Sequence, residues 1–169
     1  LQLVGYPMHL ETTPVPAVYH GLAKEPGDFA IVEVPFARGA GCRFEIPSGE
    51  IPYYQTVHGK RRHSGDIPAY LARRNYPESI TANYLLGLLA RATTSRDAPL
   101  PAAIDGARLR GAVAALETAG FKYVLVHGGL LRRPHLRAIR RMLRQHLGAP
   151  RVDRSTEDTI YLYRLAVDP

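Results

Sequence analysis

The stretch DGARLRGAVAALETAGFKYVLVHGGLLRRPHLRAIRRMLRQHLG, Asp105 to Gly148, decides the fold. Its first part places Leu109, Val113 and Leu116 on one side of a helix, and Gly120 follows at the position where a chain leaves a helix in the left-handed region. FKYVLVH, Phe121 to His127, then changes period and is rich in β-branched and aromatic residues, which predicts a strand. The third part spaces Leu136, Ile139, Leu143 and Leu147 along one helical face; Gly148 ends it and Pro150 prevents continuation. Helix, strand, helix is the unit of a layered α/β protein.

Working outward, RVDRS and TIYLYRL flank the polar turn Thr156 to Asp158 and predict a C-terminal hairpin. On the other side, Phe29 to Val34 is β-branched and mostly apolar, as in a strand buried on both faces; Glu33 is its one charge and Pro35 closes it. VPAVYHGLAKEPGD before it predicts a short helix with Val18, Tyr19 and Leu22 on its apolar face. PESITANYLLGLLARAT predicts another, with Ser79 as N-cap and Ile80, Tyr84, Leu85, Leu88 and Leu89 as its stripe. Residues 37–68 read as loop and extended segments, with a short strand at Tyr53 to Val57 and a polar turn from His58 to Asp66. The expected architecture is an α/β layered sandwich: a mixed, mostly parallel sheet with flanking helices and a C-terminal hairpin. Residues 1–16 are expected to form an extended linker and 17–169 one α/β domain.

Composition sets bounds on function. The 169 residues are 46% hydrophobic, enough for a core, and no stretch approaches the ~20 apolar residues of a membrane span. The net charge of +7 is carried mostly by arginine, since only Lys24, Lys60 and Lys122 are lysines. Such charge suits phosphate, anionic lipid or nucleic acid. No RNP-like strand, zinc finger or clear helix-turn-helix is present, so nucleic acid is the less favoured partner. Cys42 stands alone in ARGAGCRF; a plain loop or buried cysteine is the simpler reading than a reactive thiol.

The densest set of reactive residue types is YYQTVHGKRRHSGD, which holds His58, Gly59, Lys60, Arg61, Arg62, His63, Ser64 and Asp66. Three readings fit it. Ser, His and Asp suggest nucleophilic catalysis in a small hydrolase or transferase, but Ser64 lacks a nucleophile elbow. Glycine and cationic side chains suggest an anion site, joined by Arg132 and Arg133 after the Gly128–Gly129 turn if both stretches leave the sheet at one edge. A solvated loop is the third. His58, His63, His127 and His135 lack metal-ligand spacing, so neither metal nor cofactor is expected. Arg133, Arg137, Arg140, Arg141 and Arg144 form one basic helix face, for which a solvated surface and an anionic membrane are the competing explanations.

Four segments together, PAVYHGLAKEPGDFAIVEVPF, YYQTVHGKRRHSGDIPAYLARR, LETAGFKYVLVHGGLL and TIYLYRL, resemble the C-terminal region of polytopic membrane glycosyltransferase-like proteins of bacteria. The closest matches are Y-x-T-x-H-G-K, here YQTVHGK, and G-x-x-Y-V-x-V-H, here GFKYVLVH. The resemblance implies a soluble α/β domain on the extracytoplasmic face of the bacterial membrane, cut here from a larger polypeptide. It places the catalytic carboxylate in the membrane part and leaves none in these residues. The domain would cover or orient a membrane-embedded site, with the spans of the same polypeptide as partner and an anionic lipid or polyisoprenyl-phosphate sugar as ligand.

Overall fold

The computed structural model describes residues 14–35, 50–62, 82–96 and 100–165. Within them the chain runs α1 (Ala17–Lys24), β1 (Ala30–Val34), α2 (Glu50–His58), β2 (Arg61–Arg62), α3 (Tyr84–Thr94), α4 (Gly106–Thr118), β3 (Phe121–His127), α5 (Arg133–Leu147), β4 (Arg151–Asp153) and β5 (Ile160–Arg164). Residues 1–13 of the linker expected at 1–16, Cys42, His63 to Asp66 and Ser79 lie outside the described residues.

The strands form one five-stranded sheet in the order β2-β1-β3-β5-β4. β1 lies parallel to both β2 and β3, while β5 runs antiparallel to β3 and to β4. The sheet is therefore mixed, with a parallel half and a C-terminal hairpin, as the sequence predicts. β1 is buried along its whole length. That burial explains its lack of alternation, because both of its faces are covered.

Alternation instead sorts side chains between two cores. Val32, Val34, Val124, Val126, Tyr161 and Tyr163 point to the side of α3, α4 and α5. Ile31, Leu125, Ile160 and Leu162 point the other way, onto Val18, Tyr19 and Leu22 of α1 and Tyr54 of α2. Successive strand residues face opposite sides, so one register fixes both cores.

Caps hold the larger layer in place. Asn83 caps α3 by accepting from Leu86 N at 3.1 Å, and its Nδ2 donates to Ala112 O of α4 at 2.9 Å. Asp105 caps α4 by accepting from Arg108 N at 3.0 Å. Gly120, with φ of +84°, turns the chain from α4 into β3.

One predicted element is corrected. Tyr53 to Val57 lies in helix α2, not in a strand. Tyrosine, threonine and valine favour strands only weakly, and tertiary packing overrides that preference. Tyr54, Val57 and His58 recur at the helical spacing i, i+3, i+4; Tyr54 and His58 are buried and Val57 packs on the same cluster. Pro52 occupies the first turn, where its missing N–H leaves no helical bond unmade.

Val124 is fully buried between β1 and β5. Val124→Asp puts an unpaired charge there and is expected to lower stability by about 3 kcal/mol or more. Chemical denaturation should show it as a lower midpoint; an unchanged midpoint contradicts the sheet.

Candidate functional site

Glu33 lies at the carboxyl end of β1, and its side chain points into the smaller core. A carboxylate buried to this degree requires counter-charge and hydrogen bonds. Each of its neighbours comes from a different element. Tyr19 of α1 donates its hydroxyl proton to Glu33 Oε1. His127, the last residue of β3, places Nε2 3.1 Å from the same oxygen and 3.0 Å from the Tyr19 hydroxyl. Arg62 of β2 holds Nε 2.5 Å from Glu33 Oε2 as an ion pair whose N–H is not directed as a hydrogen bond.

The other nitrogen of His127, Nδ1, lies 2.6 Å from Asp158 Oδ2 in the turn between β4 and β5. Burial alone would lower the imidazole's pKa, but hydrogen bonds to Asp158 and Glu33 outweigh it and raise the value to about 9. His127 is then a cation donating from both nitrogens. Burial acts to raise the Glu33 pKa, yet His127, Arg62 and Tyr19 together bring it below the ordinary carboxylate value. Two carboxylates thus face one imidazolium and one guanidinium, and the buried cluster is neutral.

Aromatic rings roof the cluster. Tyr19 stacks on Tyr54 with centroids 4.6 Å apart and on His58 at 5.4 Å. His58 Nδ1 accepts a hydrogen bond from Lys60 N at 2.9 Å, so the proton of the neutral ring sits on Nε2. Burial also holds the pKa of His58 below the usual imidazole value.

This geometry limits the chemistry. A general base needs a lone pair within reach of its substrate. His127 uses both nitrogens on carboxylates, and His58 has its lone pair on a backbone N–H. Burial and the adjacent Glu33 charge raise the Tyr19 pKa well above that of free tyrosine, so its hydroxyl keeps its proton. The arrangement is suited to cross-linking α1, three strands and the β4–β5 turn, and it offers no free imidazole lone pair for proton transfer.

The anion site expected from sequence is divided by the fold. Arg61 and Arg62 pair with Ala30 and Ile31, so His58, Gly59 and Lys60 lie where the parallel strands begin. Arg132 and Arg133 follow the opposite end of β3. The two stretches do not leave the sheet at one edge, because the segment 58–60 precedes its strand instead of following it. The cations of the first stretch also have internal partners. Lys60 Nζ donates to Glu25 O at 2.8 Å and Gly27 O at 2.9 Å; Arg61 pairs with Asp28 at 3.4 Å on the surface; Arg62 is the buried partner of Glu33.

Gly128 and Gly129 likewise have internal partners, one of them an anion. Their N–H groups donate to Thr159 O at 2.8 Å and Asp158 Oδ1 at 2.6 Å. Side chains would not fit: a Cβ on Gly128 would meet Thr159 O at 2.8 Å, and one on Gly129 would meet Asp158 Oδ1 at 2.9 Å. His135 is buried on α5, with Nε2 2.9 Å from Ser95 O.

Sequence reasoning missed Tyr19, Glu33, Tyr54, His127 and Asp158 as members of one site. The available signal was Glu33 itself, a single charge in an otherwise apolar strand, which burial obliges to find partners. Comparison with protein-family models, with curated proteins and with solved structures gave no match.

Glu33→Ala removes the counter-charge of Arg62 and His127 and is expected to cost about 3–5 kcal/mol in denaturant unfolding. The pH dependence follows from the raised folded-state pKa of His127. Its contribution is full below the unfolded value near ~6.5, declines as pH rises, and is gone above about 9. Thermal midpoints between pH 6 and 10 should fall accordingly, and His127→Gln should flatten that decline.

Proposed function

We propose that this chain is a non-catalytic accessory domain of a membrane glycosyltransferase-like protein, placed on the extracytoplasmic face. There it covers or orients a membrane-embedded site for a polyisoprenyl-phosphate sugar or its acceptor. One observation carries this reading. The segments that bear the resemblance are those whose polar side chains meet in the core: Tyr19 and Glu33 from the first, Tyr54, His58 and Arg62 from the second, and His127 from the third. In a catalyst, motif residues would converge on a space open to substrate. Here they are buried and engaged mainly with one another, the pattern of residues that fix a shape.

No described helix is long and apolar enough to cross a membrane, so the reading requires spans elsewhere in the parent polypeptide. The rival hydrolase reading rests on His58 as a base. It is less well supported, because the ring's acceptor nitrogen is occupied by Lys60 N.

The test uses the parent polypeptide in its membrane. Glu33→Ala, which loosens the domain without touching the spans, is expected to lower sugar transfer by about tenfold or more, the scale seen when a positioning element is displaced. The isolated 169-residue chain should neither transfer nor hydrolyse the same donor. Turnover by the isolated chain would overturn the reading, as would a parent gene encoding no hydrophobic spans upstream of Leu1.

A further inference from the structure

From Gly128 to Val152 the chain contains seven arginines and no aspartate or glutamate. Five of those arginines, Arg133, Arg137, Arg140, Arg141 and Arg144, lie in α5. At 3.6 residues per turn they fall within an arc of roughly 100°, opposite the buried His135, Ile139, Met142 and Leu143. Arg133, Arg137, Arg141 and Arg144 are exposed, as is Arg132 at the N-cap. Arg140 is half-buried and lies 4.0 Å over the ring of Tyr161, which anchors the stripe to the sheet. None of these arginines has an ion-pair partner among the described residues, whereas Arg61, Arg62 and Lys122 each have one. The field extends to α4, where Arg110 and His146 of α5 approach the same point beside Gly106.

We propose that the outer face of α5 is a docking surface for an anionic bilayer. Charge complementarity identifies the occupant. A stripe of guanidinium groups along one helix face matches a plane of lipid phosphates, each of which can take two N–H donors from one fork. Single-stranded nucleic acid asks for exposed aromatic platforms between the cations. On this face Tyr161 and Tyr163 are buried beneath the stripe and unavailable for stacking. The inference deepens the accessory-domain reading by naming the face turned to the membrane. Its test involves no sugar transfer, so the two can fail separately.

The 169-residue chain is sedimented with vesicles of phosphatidylcholine alone or mixed with phosphatidylglycerol, in low salt and in 1 M salt. Binding is expected only with the anionic vesicles and should vanish in 1 M salt, where screening acts within ~3 Å. Each surface arginine near such a membrane contributes about fivefold to partitioning, so Arg137→Gln/Arg141→Gln/Arg144→Gln should weaken it about a hundredfold with an unchanged thermal midpoint. A control, Lys24→Gln/Arg61→Gln/Arg154→Gln, removes equal charge elsewhere and should bind like the wild type. Three results would each overturn the proposal: no binding to anionic vesicles, equal loss in both variants, or tighter binding to duplex or single-stranded RNA than to anionic vesicles at matched phosphate.

Discussion

The fold depends on neutralising one buried carboxylate. Glu33 sits in the interior of a strand covered on both faces, where an isolated charge would be prohibitively unstable. Its three polar neighbours lie on α1, β2 and β3, and through His127 the network reaches the β4–β5 turn. Satisfying Glu33 therefore sets where α1 lies, how far β2 extends beside β1, and how the hairpin meets β3. Hydrophobic burial supplies most of the drive to fold, but it is non-directional. The ionic cluster supplies direction.

The two faces of the sheet consequently differ in character. Toward α3, α4 and α5 the core is aliphatic, with Leu85, Leu89, Val113, Ile139 and Leu143 packed on valines. Toward α1 and α2 it is aromatic and ionic. An aliphatic core tolerates repacking as long as volume is kept. The polar members of the other side do not, because Tyr19, Glu33, Arg62 and His127 each answer a specific charge or ring.

Much of the architecture was legible in the sequence, because its signals were local. Apolar periodicity with Asp105, Gly120 and Gly148 at the ends defined α4 and α5, and alternation with a polar turn defined the hairpin. α2 was not legible in the same way. Tyr54, Thr56 and Val57 carry strand preference, and only the aromatic roof over Tyr19 shows why they coil. The site was less legible than the fold. Its members lie up to 139 positions apart, from Tyr19 to Asp158, and nothing local to Asp158 distinguishes it from an ordinary turn residue. The dense cationic stretch at 58–62 drew attention by composition, yet most of its side chains are tied inward.

The clamp on His127 also orders events in time. Asp158 lies close to the end of the described chain, so a growing polypeptide acquires β1, β2 and β3 long before it acquires the carboxylate that completes the cluster. With both carboxylates in place the ring's pKa stands at about 9, above that of a free imidazole, so folding near neutral pH is accompanied by proton uptake at His127. Closure of this fold is thus coupled to a change in protonation, and a carboxylate in the β4–β5 turn helps to set the charge state of a ring on β3.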